Sequence, residues 1–113
     1  YDACSLSDAG GVSTCTMQST VAEIKTLSIT SPVTKSGGTV TFTAGAAVAA
    51  NSTITGTSPV VADNVATSTI TVTLRDAFNN AVSGQIPTFT TSGTSNSQTP
   101  CSSSNSSGVS TCT

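Results

Sequence analysis

The sequence has no histidine, no tryptophan, one tyrosine, three phenylalanines and only three basic residues among 113. Each shortage closes off a class of activity. Without histidine, no Ser-His or Cys-His pair can activate a nucleophile. Three basic residues against five acidic ones leave a net charge of −2. That is too little positive charge to hold nucleic acid and gives no electrostatic grip on a membrane surface. No apolar run approaches the ~20 residues that span a bilayer. Aromatic residues dominate interface hot spots; here Tyr1, Phe78 and Phe89 do not cluster in sequence. The chain does not begin with methionine and shows no signal-peptide pattern, as expected of a segment of a longer mature protein.

What is abundant is serine and threonine, 43 residues together. Their placement separates this chain from a disordered stalk. "TSTITVTL" at 67–74 alternates strictly, with Ile70, Val72 and Leu74 on one face and Thr69, Thr71 and Thr73 on the other. "TVTFTA" at 39–44 does the same, and "KTLSIT" at 25–30 puts Leu27 and Ile29 on a common face. Period-two alternation of β-branched residues marks half-buried antiparallel strands. "SGG" at 36–38 and "DAFNNAVSG" at 76–84 read as turn signals. Prolines 32, 59, 87 and 100 fall at or near strand ends or on edge strands. The Ala-rich "AGAAVAAN" at 44–51 is short and lacks a polar face, so it reads as a connector. The expected class is all-β, with a sandwich as the architecture.

One motif occurs twice. "CSLSDAGGVSTC" fills residues 4–15 and "CSSSNSSGVSTC" fills residues 101–112, with both cysteines displaced by 97 positions. That period is too long for a solenoid repeat and is about one immunoglobulin-like domain in length.

The segment "SPVVADNVATSTITVTLRDAFNNAVSG" at 58–84 resembles the opening of a bacterial immunoglobulin-like domain of the invasin/intimin type, through Ala62, Asp63, the TITVTL strand, Asp76, Asn79 and Val82-Ser83-Gly84. "SDAGGVSTCTMQSTVAEIKTLSIT" at 7–30 resembles the later half of such a domain, and "GTVTFTAG" at 38–45 its closing strand. The chain departs from the family at Pro87, which interrupts "GQIPTFTTSG", and in its cysteines, which most members lack.

The resemblance implies an immunoglobulin-like antiparallel β-sandwich with its halves in reversed order. Residues 1–47 correspond to the C-terminal half of one repeat, 48–51 to a short linker, and 52–113 to the N-terminal half of the next. The ends of a seven-stranded sandwich lie roughly 30–40 Å apart, whereas the stretch 48–53 reaches about 20 Å. Two adjacent globules, each completed from elsewhere, are therefore expected. Val40 and Phe42 would then pack on Ile70, Val72 or Leu74 of another copy.

Four cysteines allow three connectivities, and the duplicated spacing favours Cys4–Cys15 and Cys101–Cys112. Each pair would close a loop of ~12 residues and add about 3 kcal/mol in the chain-entropy model. By the family pattern, Ser13, Cys15 and Met17 face inward, and Cys112 likewise, so both bridges are expected to be buried. Disulfides indicate an oxidising, extracellular compartment. No His and no C-x-x-C leave no zinc-site pattern.

The carboxylates Asp2, Asp8, Glu23, Asp63 and Asp76 show no pairing; they read as turn and cap residues. The alternative for Asp8, Asp63 or Asp76 is calcium at a domain junction. Lys25 or Lys35 could enter an isopeptide cross-link only if buried beside an acid. Asn51 in "NST" and Asn105 in "NSS" match the glycosylation sequon and read as polar loop residues. No catalytic residue, cofactor site or metal site is nominated. The expected function is a non-enzymatic structural repeat of an extracellular fibre or adhesin stalk, assembled head-to-tail with neighbouring copies. It would have no nucleic-acid partner and no membrane span. The alternative is an adhesive module for a receptor or glycan.

Overall fold

The computed structural model describes residues 3–113; Tyr1 and Asp2 lie outside the described residues. Among the described residues the chain is all-β, with five short strands in two antiparallel sheets and no helix. It divides into two compact units, Tyr1–Phe42 and Thr43–Thr113.

The first unit holds β1 (Ile24–Ile29) and β2 (Lys35–Thr41), paired from Ile24↔Thr41 to Ile29↔Lys35. A further bond from the Phe42 N–H to the Glu23 carbonyl, 3.0 Å, continues the ladder. β2 starts at Lys35 rather than at Thr39, because "SGG" is not a turn. Leu27 faces Gly38 and Ser28 faces Ser36, so Gly37 is the extra residue of a bulge. Its φ of 151° is one that a side chain rarely tolerates. The alternation of Leu27 and Ile29 is realised, yet their shared face is open: they are 40% and 50% exposed. No described residue of this unit is buried.

The second unit holds β3 (Thr53–Gly56), β4 (Ile70–Thr73) and β5 (Val109–Cys112), in the order β3-β4-β5. Ile70 pairs with Cys112, Thr71 with Thr111, Val72 with Ser110 and Thr73 with Val109. Directly paired residues share a face, so Ile70, Val72, Ser110 and Cys112 lie together. Val72, Cys101 and Cys112 are buried there, with Ile70, Leu74 and Phe89 packed around them. This core is small, and it is built of residues 70–112 alone. Residues 86–100 contain no strand, as befits Pro87, whose missing N–H cannot join a ladder.

The stretch read as a linker, 48–51, is tied into the second unit. The Val48 N–H donates to the Arg75 carbonyl at 2.8 Å, and Asn51 Nδ2 donates to the Asp76 carbonyl at 2.7 Å. The second unit accordingly begins at Thr43. The reason is the hydrogen-bonding demand of the backbone: the Arg75–Asp76 carbonyls offer partners that an extended spacer would lack. Neither unit closes a sandwich, since one carries a two-stranded and the other a three-stranded sheet.

Candidate functional site

The two cysteine-bracketed segments fold into the same hairpin. Disulfides join Cys4 to Cys15 and Cys101 to Cys112, each across 11 positions and with Cα atoms 4.3 Å apart. Nearly every internal bond of one recurs in the other at the same offset. The Ser5 N–H donates to the Thr14 carbonyl at 2.9 Å, and the Ser102 N–H to the Thr111 carbonyl at 2.9 Å. The Thr14 N–H donates to Ser5 Oγ at 3.0 Å, and the Thr111 N–H to Ser102 Oγ at 3.0 Å. The Ser13 hydroxyl donates to the Ser5 carbonyl, and the Ser110 hydroxyl to the Ser102 carbonyl.

The tips match as well. Asp8 Oδ1 accepts the N–H groups of Gly10 and Val12 at 2.9 Å. Asn105 Oδ1 accepts those of Ser107 and Val109 at 2.9 and 3.1 Å. Gly11 (φ 78°) and Gly108 (φ 77°) each end the turn in the left-handed region, where a residue without Cβ is favoured. This is a type I turn followed by a left-handed residue, locked by an Asx side chain.

A third instance joins β4 to the chain after it. Asp76 Oδ1 accepts from the N–H groups of Phe78 and Asn80 at 2.9 Å, and Asn79 (φ 67°) takes the left-handed place. Asp76 is itself buried at 3% exposure. Its other oxygen accepts the Gly45 N–H at 2.9 Å, and both oxygens meet the Asn80 amide. That amide, helped by the backbone donors of Gly45, Asn80 and Phe78, holds the carboxyl at about 2, below the usual 3.8, against the opposing pull of desolvation. Asp63 is also lowered, by the N–H groups of Ala66 and Val65. The pattern Asx-x-x-Gly/Asn at 8–11, 76–79 and 105–108 was visible in the sequence as a shared turn code, but only the outer two stood out through their cysteines.

The hairpins differ in what covers them. In the second unit β4 lies along Val109–Cys112, the Leu74 N–H donates to the Gly108 carbonyl at 2.8 Å, and the Val82 N–H donates to the Leu74 carbonyl at 3.0 Å. A Cβ on Gly108 would stand 2.4 Å from the Leu74 oxygen. Ser110 is fully buried, and Cys101 and Cys112 are 8% and 3% exposed. Ser104 clamps the hairpin's other side. Its hydroxyl donates to the Val82 carbonyl at 2.9 Å and accepts the Gln85 N–H at 3.0 Å. In the first unit the space around a Cβ on Gly11 is empty to 4 Å. Ser13, Cys4 and Cys15 are exposed. The expectation that Cys4–Cys15 is buried is therefore corrected. Cys15 is exposed, and among the described residues no strand lies along Val12–Cys15 as β4 lies along Val109–Cys112.

The remaining nominated residues are accounted for locally. Asp8, Asp63 and Asp76 each accept backbone N–H groups of their own turns, and among the described residues no three His, Cys, Asp or Glu residues gather as metal ligands. Lys25 pairs with Glu23 at the surface, and Lys35 is exposed. Asn51 is half-buried with its amide committed to Asp76, whereas Asn105 is exposed. Among the described residues no helix is long and apolar enough to cross a membrane. Comparison with protein-family models, with curated proteins and with solved structures finds no match.

Proposed function

We propose that the chain is a non-enzymatic structural repeat of an extracellular fibre or adhesin stalk, in which immunoglobulin-like sandwiches of the invasin/intimin type are completed by strands from neighbouring copies or repeats. The observation that carries this reading is the 97-residue repeat of one hairpin, covered by β4 in the second unit and uncovered in the first. A single self-sufficient domain has no use for a second, uncovered copy of its own edge.

Other features support it. The first unit leaves Leu6, Val12, Val21, Ile24 and Ile29 exposed, an amount of apolar surface that an extracellular chain would bury against a neighbour. Two hairpin disulfides suit an oxidising compartment and stabilise small cores that aliphatic burial alone supports weakly. Few charges and threonine-covered strands suit a stiff, inert rod. The receptor-binding alternative gains nothing from the aromatics: Phe78 stands alone at the tip of the Asp76 turn, 64% exposed, and Phe89 packs on the core. Electron microscopy of the native assembly tests the reading. Beaded, unbranched filaments are expected, and isolated globules would contradict it.

A further inference from the structure

The chain contains its own template for what belongs on the bare hairpin. Shifting the β4–β5 pairing by 97 positions places Ile70 opposite Cys15, Thr71 opposite Thr14, Val72 opposite Ser13 and Thr73 opposite Val12. The same shift sets the Leu74 N–H on the Gly11 carbonyl and the Leu74 oxygen over Gly11 Cα, where the second unit has Leu74 against Gly108. Every feature that receives β4 in the second hairpin is present in the first. The turn and its left-handed glycine are the same, the Ser13 hydroxyl is turned back onto Ser5, and Gly11 leaves the room that the strand needs.

We propose that the Val12–Cys15 edge of the first hairpin is a docking surface for one kind of partner. This partner is an extended segment with the pattern of residues 70–82: a strand alternating threonine with Ile, Val and Leu, followed by the Asp-x-x-Asn turn. The inference rests on the strand-sharing reading above but names the edge, the register and the occupant. Two features make the occupant specific. Close approach at Gly11 admits a bare carbonyl and no side chain. The small Ser13, Gly11 and Cys15 leave the apolar volume to be filled by the incoming Ile, Val and Leu, as Ser110 and Cys112 do beneath Val72. A polar or charged strand would bury its own polar groups unpaired over Ser13 and Cys15.

The test is a chain extended at its start by a second copy of residues 43–97 joined directly to Tyr1, which preserves the 97-residue spacing. Two quantities are compared with the unextended chain: amide exchange at Ser13 and the rate at which Cys4–Cys15 is reduced. Thr111 bonds to Ser102, so by strand alternation Ser110 points its N–H toward β4, and Ser13 would do the same toward the added strand. Both quantities are expected to slow about ten-fold or more, towards those of Ser110 and Cys101–Cys112. Gly11→Ala in the extended chain is expected to reverse both changes. Unchanged exchange and reduction in the extended chain would overturn the proposal, whether or not the added segment folds. So would slowing that survives Gly11→Ala. Its failure is distinguishable from that of the fibre reading: native globules that do not form filaments would end the latter, while a covered hairpin in the extended chain would leave the docking intact.

Discussion

Gly11 and Gly108 share a conformation and differ in their surroundings, and the difference is measurable. Alanine in the left-handed region costs about 1–2 kcal/mol wherever it occurs. At Gly11 that is the whole cost, because the space beyond is open. At Gly108 the new Cβ also meets the Leu74 oxygen at 2.4 Å, and displacing a strand adds about 1–3 kcal/mol. Gly108→Ala is thus expected to lower the denaturation midpoint of the second unit sharply, and Gly11→Ala to leave that midpoint unchanged. Asp76 gives a second residue-level expectation. Its carboxyl is lowered to about 2 in the folded chain against 3.8 as the ordinary value. A lowered carboxyl stabilises fully above the unfolded value and loses that stabilisation as pH falls through the folded one. The thermal stability of the second unit should therefore decrease as pH falls from about 4 to about 2. Asp76→Asn should lower the melting temperature at neutral pH and flatten that acid slope. An unchanged slope in the variant would assign the acid sensitivity to other carboxylates.

At the scale of elements, the disulfides separate by exposure. Cys4–Cys15 is open to solvent, whereas Cys101–Cys112 lies beneath β4 and Phe89. Mild reductant is expected to open the first bridge well before the second, read by alkylation and peptide mapping; simultaneous opening would mean that the two hairpins are equally covered. Breaking Cys101–Cys112 releases a short closed loop and should cost about 3 kcal/mol. Ser104→Ala strips two bonds from the clamp between the hairpin and residues 82–85 and leaves the buried Val82 carbonyl unpaired. A loss of about 1–3 kcal/mol is expected by chemical denaturation. β1, β4 and the last residues of β2 were legible in the sequence, whereas β3 was not read as a strand. Alternation in "TSTITVTL" announced β4 and its inward Ile70, Val72 and Leu74, because a half-buried strand cannot hide its period. "SGG" misled, since glycine serves a bulge as readily as a turn, and only pairing with β1 decides between them. The exposure of Cys15 was not legible either. Its phase along the strand is local, but burial needs a second strand, and no local pattern says whether one is there. The ties of 45–51 to Asp76 were hidden for a similar reason: an Ala-rich stretch shows no periodicity, and its hydrogen bonds depend on a turn 25 or more residues away.

On the scale of the whole molecule, the two units stand at different degrees of completion. The second has a buried centre in Val72, Val82, Cys101 and Cys112; the first has no buried described residue. A half-built apolar layer recovers too little transfer free energy to offset its ordering, and uncovered strand edges recruit further strands. Head-to-tail contacts between unlike surfaces do not close on themselves unless a rotation makes a ring. Light scattering is accordingly expected to show a mass that rises with concentration without stopping at a dimer. A compact monomer at every concentration would contradict this.

Hydrogen exchange resolved residue by residue, on the full chain at high dilution, reaches the difference between the hairpins most directly. Because nearly all of their internal hydrogen bonds are the same, a difference in protection reports what covers the second hairpin, β4 and the Ser104 clamp. Amides of Val109–Cys112 should exchange slowly, at the rate set by opening of the second unit, while those of Val12–Cys15 exchange orders of magnitude faster. Equal protection of the two hairpins in the dilute chain would show that the first already has its strand, and the shared-strand repeat would then be wrong.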